Sequence, residues 1–118
     1  MPRIAVILRK AYGGAYIVMD CKTMGNDLCV AWPTAEIAVM GAKGAAEILH
    51  RRATPEQRLA AELDYEATLL TPWVAAERGL VDAVIAPEDT RRVVATALEG
   101  IVSKRDEIVP RKHDNGPL

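Results

Sequence analysis

Two consecutive glycines between an apolar strand and a short apolar helix form the part of this sequence that points most directly to chemistry. Residues 9–16 read RKAYGGAY and follow the apolar run Ile4–Leu8. Gly13 and Gly14 can adopt backbone angles closed to other residues, and neither carries a Cβ that would keep a ligand from the main chain. The helix predicted after them begins with unpaired N–H groups and the positive end of its dipole. We therefore expect this loop to stabilise an oxygen that gains negative charge during a reaction.

A glycine pair before a helix is by itself a common tight turn, but three further segments accompany it. Residues 31–45 read AWPTAEIAVMGAKGA, residues 75–85 read AAERGLVDAVI, and residues 110–118 read PRKHDNGPL. Together with RKAYGGAY, they closely resemble the carboxyltransferase (beta) subunit of biotin-dependent acyl-CoA carboxylases of the acetyl- and propionyl-CoA carboxylase type. The resemblance follows the same order and covers essentially the whole chain, but only the C-terminal part of such a subunit.

The resemblance implies transfer of a carboxyl group from carboxybiotin to the α-carbon of a short acyl-CoA, with propionyl- and acetyl-CoA both open. Its implied cofactor is biotin, carried on a partner protein or domain, and its substrate is a coenzyme A thioester. In the family, one oxyanion hole in the N-terminal domain holds the thioester oxygen, and a second in the C-terminal domain holds the ureido oxygen of biotin. Carried over by motif, the catalytic groups of the second hole are the backbone N–H groups of Gly14 and Ala15.

The same motif implies three substrate-binding residues, Gly13, Tyr16 and Ile17. Ile17 would face the acyl group and biotin, at a position where relatives biased to propionyl groups often have aspartate. An apolar side chain there favours short alkyl groups, because a carboxylate in an apolar pocket would lose its hydration without gaining a partner. This departure leaves the preferred acyl group open.

The resemblance also implies an α/β fold of the crotonase-like (ClpP/crotonase) type, a spiral of short strands and helices of which this chain would be a partial domain. We expect a C-terminal carboxyltransferase domain over residues 1–104, lacking its early part, and a C-terminal arm over residues 105–118. The implied partners are a biotin carboxyl carrier or biotin carboxylase (alpha) subunit, the missing N-terminal carboxyltransferase domain, and further copies in a homo-oligomer. Without that N-terminal domain and its oxyanion hole, the isolated chain is predicted to be inactive.

Hydrophobic periodicity and helix breakers predict short strands that alternate with helices. Strands are expected at residues 3–8, 28–31, 36–39 and 81–85. Helices are expected at residues 14–21, 41–51, 55–70 and 87–103, with a short one through Ala75 that stops at Gly79. Thr54 is the expected N-cap of the 55–70 helix, with Pro55 at its first position. The apolar sides of residues 59–70 and 93–102 are expected to lie partly in a subunit interface.

Composition excludes several classes of function. The 15 basic and 16 acidic side chains nearly cancel, and no basic block is long enough to follow a phosphate backbone, so no nucleic-acid partner is expected. No apolar run could span a membrane and no signal-peptide pattern is present, so we expect a cytoplasmic protein without a membrane partner. Cys21 and Cys29 are expected to be reduced core residues. No His, Cys or carboxylate cluster has metal-ligand spacing, so no metal is predicted.

Two alternatives belong to other classes of function. The chain could be a non-catalytic interaction fragment that only binds a partner subunit. It could also be a crotonase-type hydratase or isomerase, which shares the oxyanion chemistry. The second alternative is disfavoured because those enzymes need carboxylates beside their oxyanion hole, whereas this glycine loop is accompanied by the AWPTAEIAVMG segment of residues 31–41.

Overall fold

The computed structural model describes residues 1–105 as an α/β arrangement of short strands and helices. The strands are β1 (Ile4–Ile7), β2 (Lys10–Tyr12), β3 (Leu28–Ala31), β4 (Glu36–Ala38) and β5 (Ala83–Val84). Their pairings, β1 with β3, β2 with β4 and β3 with β5, are parallel. Parallel neighbours need a crossover between them, and the helices that precede β5 lie in those crossovers.

β3 is the central strand of the larger sheet, whose order is β1-β3-β5. Ile4 of β1 lies opposite Leu28, so the predicted 3–8 and 28–31 segments are neighbours. Cys29–Ala31 are fully buried, whereas β1 at the sheet edge is only partly buried along its whole length. The uninterrupted apolar run of β3 is what a strand covered on both faces requires.

A second sheet joins β2 and β4, and β2 was not predicted from the sequence. The predicted direct passage from the first strand into the glycine pair is therefore wrong, because Lys10–Tyr12 intervene as a strand. Lys10 lies opposite Glu36 and Tyr12 opposite Ala38. Only this long-range pairing makes residues 10–12 a strand, since their local pattern is too short to indicate one.

The helices are α1 (Gly13–Val18), α2 (Ala42–Leu49), α3 (Pro55–Thr68), α4 (Pro72–Glu77) and α5 (Thr90–Ile101). Short 3₁₀ turns occur at Lys22–Met24 and Pro87–Asp89, the latter forming the start of the predicted 87–103 helix. The strand predicted over 81–85 is shorter than expected and covers only Ala83–Val84. The predicted stop of α4 at Gly79 is confirmed, since Gly79 has a left-handed φ of 71°. Glycine is favoured there because it has no Cβ to oppose that conformation.

The predicted start of α3 is confirmed in detail. The Thr54 hydroxyl accepts from the Gln57 N–H at 3.3 Å, and the Gln57 side chain accepts from the Thr54 N–H at 3.0 Å. This capping box satisfies two N–H groups at the helix start. The helix ends at Thr68, two residues earlier than predicted, and the Leu70 carbonyl accepts from the Ile37 N–H at 3.0 Å instead.

α1 is shorter than the predicted 14–21 helix. It ends at Val18, and Asp20 then adopts a left-handed φ of 76°. The Asp20 carbonyl accepts from the Asn26 side chain at 2.9 Å and its carboxylate from Arg3 at 2.8 Å. These contacts turn the chain away from the helix axis, so Cys21 enters the core outside the helix.

The core consists largely of small side chains. Its central cluster contains Ala11, Cys29, Ala31, Ala35, Ile37, Ala75 and Val81. Small residues allow the elements to approach closely but bury little apolar area each. Many large apolar side chains consequently remain exposed, including Leu59 at 58% and Leu63 at 60% on α3.

The prediction for the two cysteines has a direct outcome in this structure. Cys21 and Cys29 are both buried and free, as predicted. No helix among residues 1–105 is long and apolar enough to cross a membrane. Over the same residues, no group of three or more His, Cys, Asp or Glu side chains could hold a metal ion. The predicted arm over 105–118 and the 110–118 motif lie, from residue 106 onward, outside the described residues.

Candidate functional site

The loop between β2 and α1 requires glycine at its first position. Gly13 has a left-handed φ of 54°, and a Cβ built there would lie 2.9 Å from the backbone oxygen of Val39. Both the backbone conformation and the contact with β4's flank therefore exclude a larger residue. The path of the chain into α1 depends on Gly13.

Gly14 differs from Gly13. Its φ is not in the left-handed region, and a Cβ built there would meet nothing within 4 Å. Both glycines can adopt angles closed to other residues, but only Gly13 does so. What Gly14 provides is open space beside the main chain, which would let a ligand come close.

The start of α1 leaves the N–H groups of Gly14 and Ala15 without an acceptor from their own helix. Both residues are exposed and lie in the first turn of α1, where helix N–H groups have no intrahelical acceptor. No side chain caps this helix start, and Tyr12 at the N-cap position is extended. Among residues 1–105, neither of these two N–H groups donates a hydrogen bond outside α1.

An apolar cavity of about 530 Å³ opens beside the glycine loop. It brings together four of the five predicted site residues, Gly13, Gly14, Tyr16 and Ile17. Its other lining residues in the described chain are Thr23, Ile37, Ala38, Val39, Tyr65, Leu69, Arg78 and Leu80, and this set contains no carboxylate. The fifth site residue, Ala15, instead lines a second cavity of about 520 Å³ along β1 and β2.

Tyr16 forms part of the cavity wall and fixes α1 to the end of α4. Its hydroxyl donates to the Leu80 carbonyl at 3.3 Å. Burial, with smaller contributions from the nearby Cys29 and Cys21, raises the pKa of Tyr16 to about 12. The hydroxyl is therefore neutral near pH 7, and the residue contributes an apolar ring rather than a base.

Ile17 contributes an apolar surface next to the glycines. Its side chain is 48% exposed, because α1 buries none of its residues fully. An exposed branched residue beside an open cavity can contact a ligand without moving other side chains. This geometry is compatible with the predicted contact with an acyl group.

Tyr12 and Glu36, whose contact was not predicted from the sequence, form a hydrogen bond next to the glycine loop. The Tyr12 hydroxyl donates to the carboxylate of Glu36. Burial and that hydrogen bond, with the charges of Glu36 and Glu66, raise the pKa of Tyr12 to about 12. The Tyr12 ring also packs against Gly41, where an added Cβ would lie 3.3 Å from a ring carbon. The pair was not predicted because β2 was not.

Arg78 is a third residue near the loop that sequence reasoning missed. It caps the C-terminal end of α4 and is the charged residue among those described as lining the cavity of the glycine loop. No hydrogen bond or ion pair of its guanidinium occurs among residues 1–105. The signal available in the sequence was its place one residue before Gly79, which ends α4 and directs the chain back towards the core.

The chain is similar to carboxylase subunits over its full length. The family model of the carboxyl transferase domain matches residues 1–116. The propionyl-CoA carboxylase beta chain of Saccharopolyspora erythraea is 52% identical over 128 aligned residues, covering 100% of this chain and 23% of that protein. The acetyl-/propionyl-coenzyme A carboxylase beta5 subunit of Mycobacterium leprae is 50% identical, with the same coverage.

Solved structures give the same result. Transcarboxylase 12S, described as a hexamer with hydrolysed methylmalonyl-coenzyme A bound, superposes with a TM-score of 0.90 at 47% identity, over 100% of this chain and 24% of that one. The crotonase-like α/β fold expected from the resemblance is thereby confirmed. This chain spans about a quarter of the length of the relatives it matches. With residues 1–116 matched and the glycine loop in place, the chain belongs to the carboxyl transferase domain family.

Proposed function

We propose that this chain is the part of an acyl-CoA carboxylase that supplies the biotin-side oxyanion hole during carboxyl transfer to a short acyl-CoA. The observation that carries the proposal is the pair of N–H groups of Gly14 and Ala15, which have no acceptor among residues 1–105. Gly14 lies beside the apolar cavity, and Ala15 lies beside the second one. Family membership and the carboxylase relatives support it. Propionyl- and acetyl-CoA are the acceptors we propose.

The residues of the site fit a biotin ring. When bound, biotin would supply the carboxyl group: its N–C bond would break, a C–C bond would form to the acyl α-carbon, and the proton lost from that carbon would pass to the biotin nitrogen. The N–H groups of Gly14 and Ala15 would donate to the oxygen on which negative charge develops. A single such donor typically contributes ~3 kcal/mol to lowering the barrier. The chain needs no histidine or carboxylate for this task.

The apolar walls would exclude water and hold the acyl group. Ile17, Val39 and Leu80 line the cavity next to the glycines. Exclusion of water strengthens hydrogen bonds to a developing charge, because the local dielectric falls. The absence of a carboxylate among the described lining residues disfavours a hydratase or isomerase at this site.

We further propose the setting in which the site works. The partners would be a biotin carboxyl carrier or biotin carboxylase (alpha) subunit, an N-terminal carboxyltransferase domain, and other copies of the subunit in a homo-oligomer. The hexamer described for transcarboxylase 12S supports assembly of this kind. The compartment would be the cytoplasm, where the buried thiols of Cys21 and Cys29 would remain reduced.

The test uses a chimera in which these 118 residues replace the matching segment of the Saccharopolyspora erythraea propionyl-CoA carboxylase beta chain. We expect the chimera, with its biotin-bearing partner, to carboxylate propionyl- or acetyl-CoA. Ala15→Leu should abolish turnover with little change in melting temperature, because it retains the N–H but fills the space beside it. The 118-residue chain alone should show no turnover. A chimera that fails to assemble, or assembles without turnover, would contradict the proposal.

One further variant of the chimera tests the acyl pocket. Ile17→Asp should change the ratio of acetyl- to propionyl-CoA used, with a smaller loss of total rate than Ala15→Leu. The reason is that a carboxylate on the cavity wall alters the apolar contact offered to the alkyl group. Initial rates with both substrates give the ratio. An unchanged ratio would remove Ile17 from the acyl pocket.

A further inference from the structure

Arg78 is an exposed residue at the wall of the mainly apolar cavity beside the glycine loop. Ile17, Val39, Leu69 and Leu80 make up much of the wall, and Arg78 is the charged side chain among the described lining residues. A pocket of this kind, apolar with a few polar groups, binds ligands with a defined polar end. The cavity therefore matches a ligand that is largely apolar and carries one negative group.

A tight turn and one side-chain hydrogen bond connect the Arg78 segment to the glycine loop. After α4, Gly79 turns the chain with a φ of 71°, and the Leu80 N–H donates to the Ala75 carbonyl at 2.8 Å. The Leu80 carbonyl in turn accepts from the Tyr16 hydroxyl. Tyr16 is two residues after Gly14, and Leu80 is two residues after Arg78. This one hydrogen bond joins the two short segments that border the cavity.

The guanidinium of Arg78 lacks an acidic partner over residues 1–105. Some cationic side chains of the described residues do have one, such as Arg3 with Asp20 at 2.8 Å and Lys22 with Asp82 at 2.6 Å, so what distinguishes Arg78 is its place at the cavity. Arginine binds carboxylates through parallel N–H donors in a planar fork. An arginine that lines an apolar cavity and has no carboxylate partner among residues 1–105 is suited to bind the carboxylate of a ligand.

We propose that Arg78 binds the free carboxylate of the carboxylated acyl-CoA, of malonyl or methylmalonyl type, and so distinguishes it from the uncarboxylated acyl-CoA. This proposal rests on the proposed function of the glycine loop. It assigns Arg78 as a specificity-determining residue, because it would contact the one group that differs between substrate and product. A phosphate of coenzyme A could also pair with an arginine, but both acyl-CoA forms carry the same phosphates.

The test measures equilibrium binding to the chimera without its biotin-bearing partner. Calorimetry should give Arg78→Met a dissociation constant for methylmalonyl-CoA raised by about tenfold or more, since a charge-assisted hydrogen bond is lost. The constant for propionyl-CoA should stay within about twofold, because that ligand has no free carboxylate to lose. Arg78→Lys should recover part of the affinity for methylmalonyl-CoA. Arg52→Met, at an exposed arginine outside the cavity, is the matched control and should change neither constant.

Labelling of the unsubstituted chimera gives a second readout that does not depend on a folded variant. An arginine-directed dicarbonyl reagent should modify Arg78 less in the presence of methylmalonyl-CoA than in the presence of propionyl-CoA, as measured by mass spectrometry. Equal protection by both ligands, or an equal change in both dissociation constants, would assign Arg78 to a coenzyme A phosphate and overturn the proposal. Turnover by the unsubstituted chimera tests the proposed function separately.

Discussion

Gly13 and Gly14 are adjacent, but only Gly13 is required by the backbone. Gly13 has the left-handed φ and lies against the Val39 carbonyl, so it determines the path of the backbone. Gly14 has neither constraint and instead leaves the main chain uncovered. We therefore expect Gly13 to matter for folding and Gly14 to matter for the proposed contact with a ligand.

Matched alanine substitutions in the chimera should separate these two roles. Gly13→Ala should lower the melting temperature, because a left-handed non-glycine residue costs about 1–3 kcal/mol and its Cβ would clash. Gly14→Ala should leave the melting temperature unchanged or slightly higher, since alanine favours helix more than glycine does. Gly14→Ala should nevertheless reduce the rate of carboxyl transfer if a ligand comes close to the main chain of Gly14. Thermal melts and initial rates of both variants give the comparison, and wild-type rates for Gly14→Ala would assign the loop a structural role alone.

At the residue scale, the sequence predicted the loop but not its surroundings. The glycine pair and Ile17 could be identified because they are contiguous in one motif. Arg78 and Glu36 reach the loop only through the fold, from segments far along the chain. No local pattern indicates which distant polar residue will face a given loop, so these two were not predicted.

Among the elements, helices were predicted better than strands for a physical reason. The start of α3 depends on Thr54, Pro55 and Gln57, which are neighbours in sequence. β2 depends on pairing with β4, more than twenty residues away. Local signals specify a helix start, whereas a three-residue strand exists only when its partner is in place.

The Tyr12–Glu36 hydrogen bond links β2 to β4 and should make this connection sensitive to high pH. The pKa of Tyr12 is raised to about 12 from the model-compound value of 10.0, chiefly by burial and then by Glu36. A raised pKa in the folded state means that the neutral phenol is the stabilised form. The corresponding stability is fully present below pH 10 and is lost as the pH rises towards 12.

Spectroscopic titration of the 118-residue chain checks this, because it contains only 3 tyrosines. We expect Tyr12 and Tyr16 to ionise well above pH 10, each near pH 12, with loss of structure by circular dichroism in the same range. Tyr12→Phe should remove one of the late-titrating phenols and leave that of Tyr16. Tyr16→Phe is the reciprocal control. If the titration above pH 10 is the same in Tyr12→Phe as in the unsubstituted chain, Tyr12 is not one of the late-titrating tyrosines, and Glu36 does not raise its pKa.

On the scale of the whole molecule, the described chain is flat, and many of its large apolar side chains are exposed to solvent. Its Cα radius of gyration is 18.1 Å, and its shortest extent is 18 Å. A compact chain of about 100 residues has a radius of gyration of about 13 Å. The difference agrees with the small-residue core and with the many large apolar side chains left at the surface. Sequence patterns alone gave no measure of this shape, although the resemblance implied a partial domain.

Exposed leucines on α3 should make the chain associate with itself. Leu59 and Leu63 are 58% and 60% exposed and are one helical turn apart, so they form a continuous apolar strip. Contiguous apolar surface of this kind favours association, because contact removes it from water. At high concentration, light scattering should give a mass well above the 12.8 kDa of one chain.

Charged substitutions on this strip test whether it is responsible. The Leu59→Glu/Leu63→Glu double variant should lower the scattering mass, since the introduced carboxylates would have to lose hydration at any contact. The Glu56→Gln/Glu62→Gln double variant changes charge on the same helix without altering the leucines and should associate at least as strongly. If the unsubstituted chain stays monomeric and melts cooperatively, the prediction of association is contradicted. Equal association of the leucine variant and the unsubstituted chain would instead place the contact on another surface, such as the exposed Ile48 and Leu49 at the end of α2.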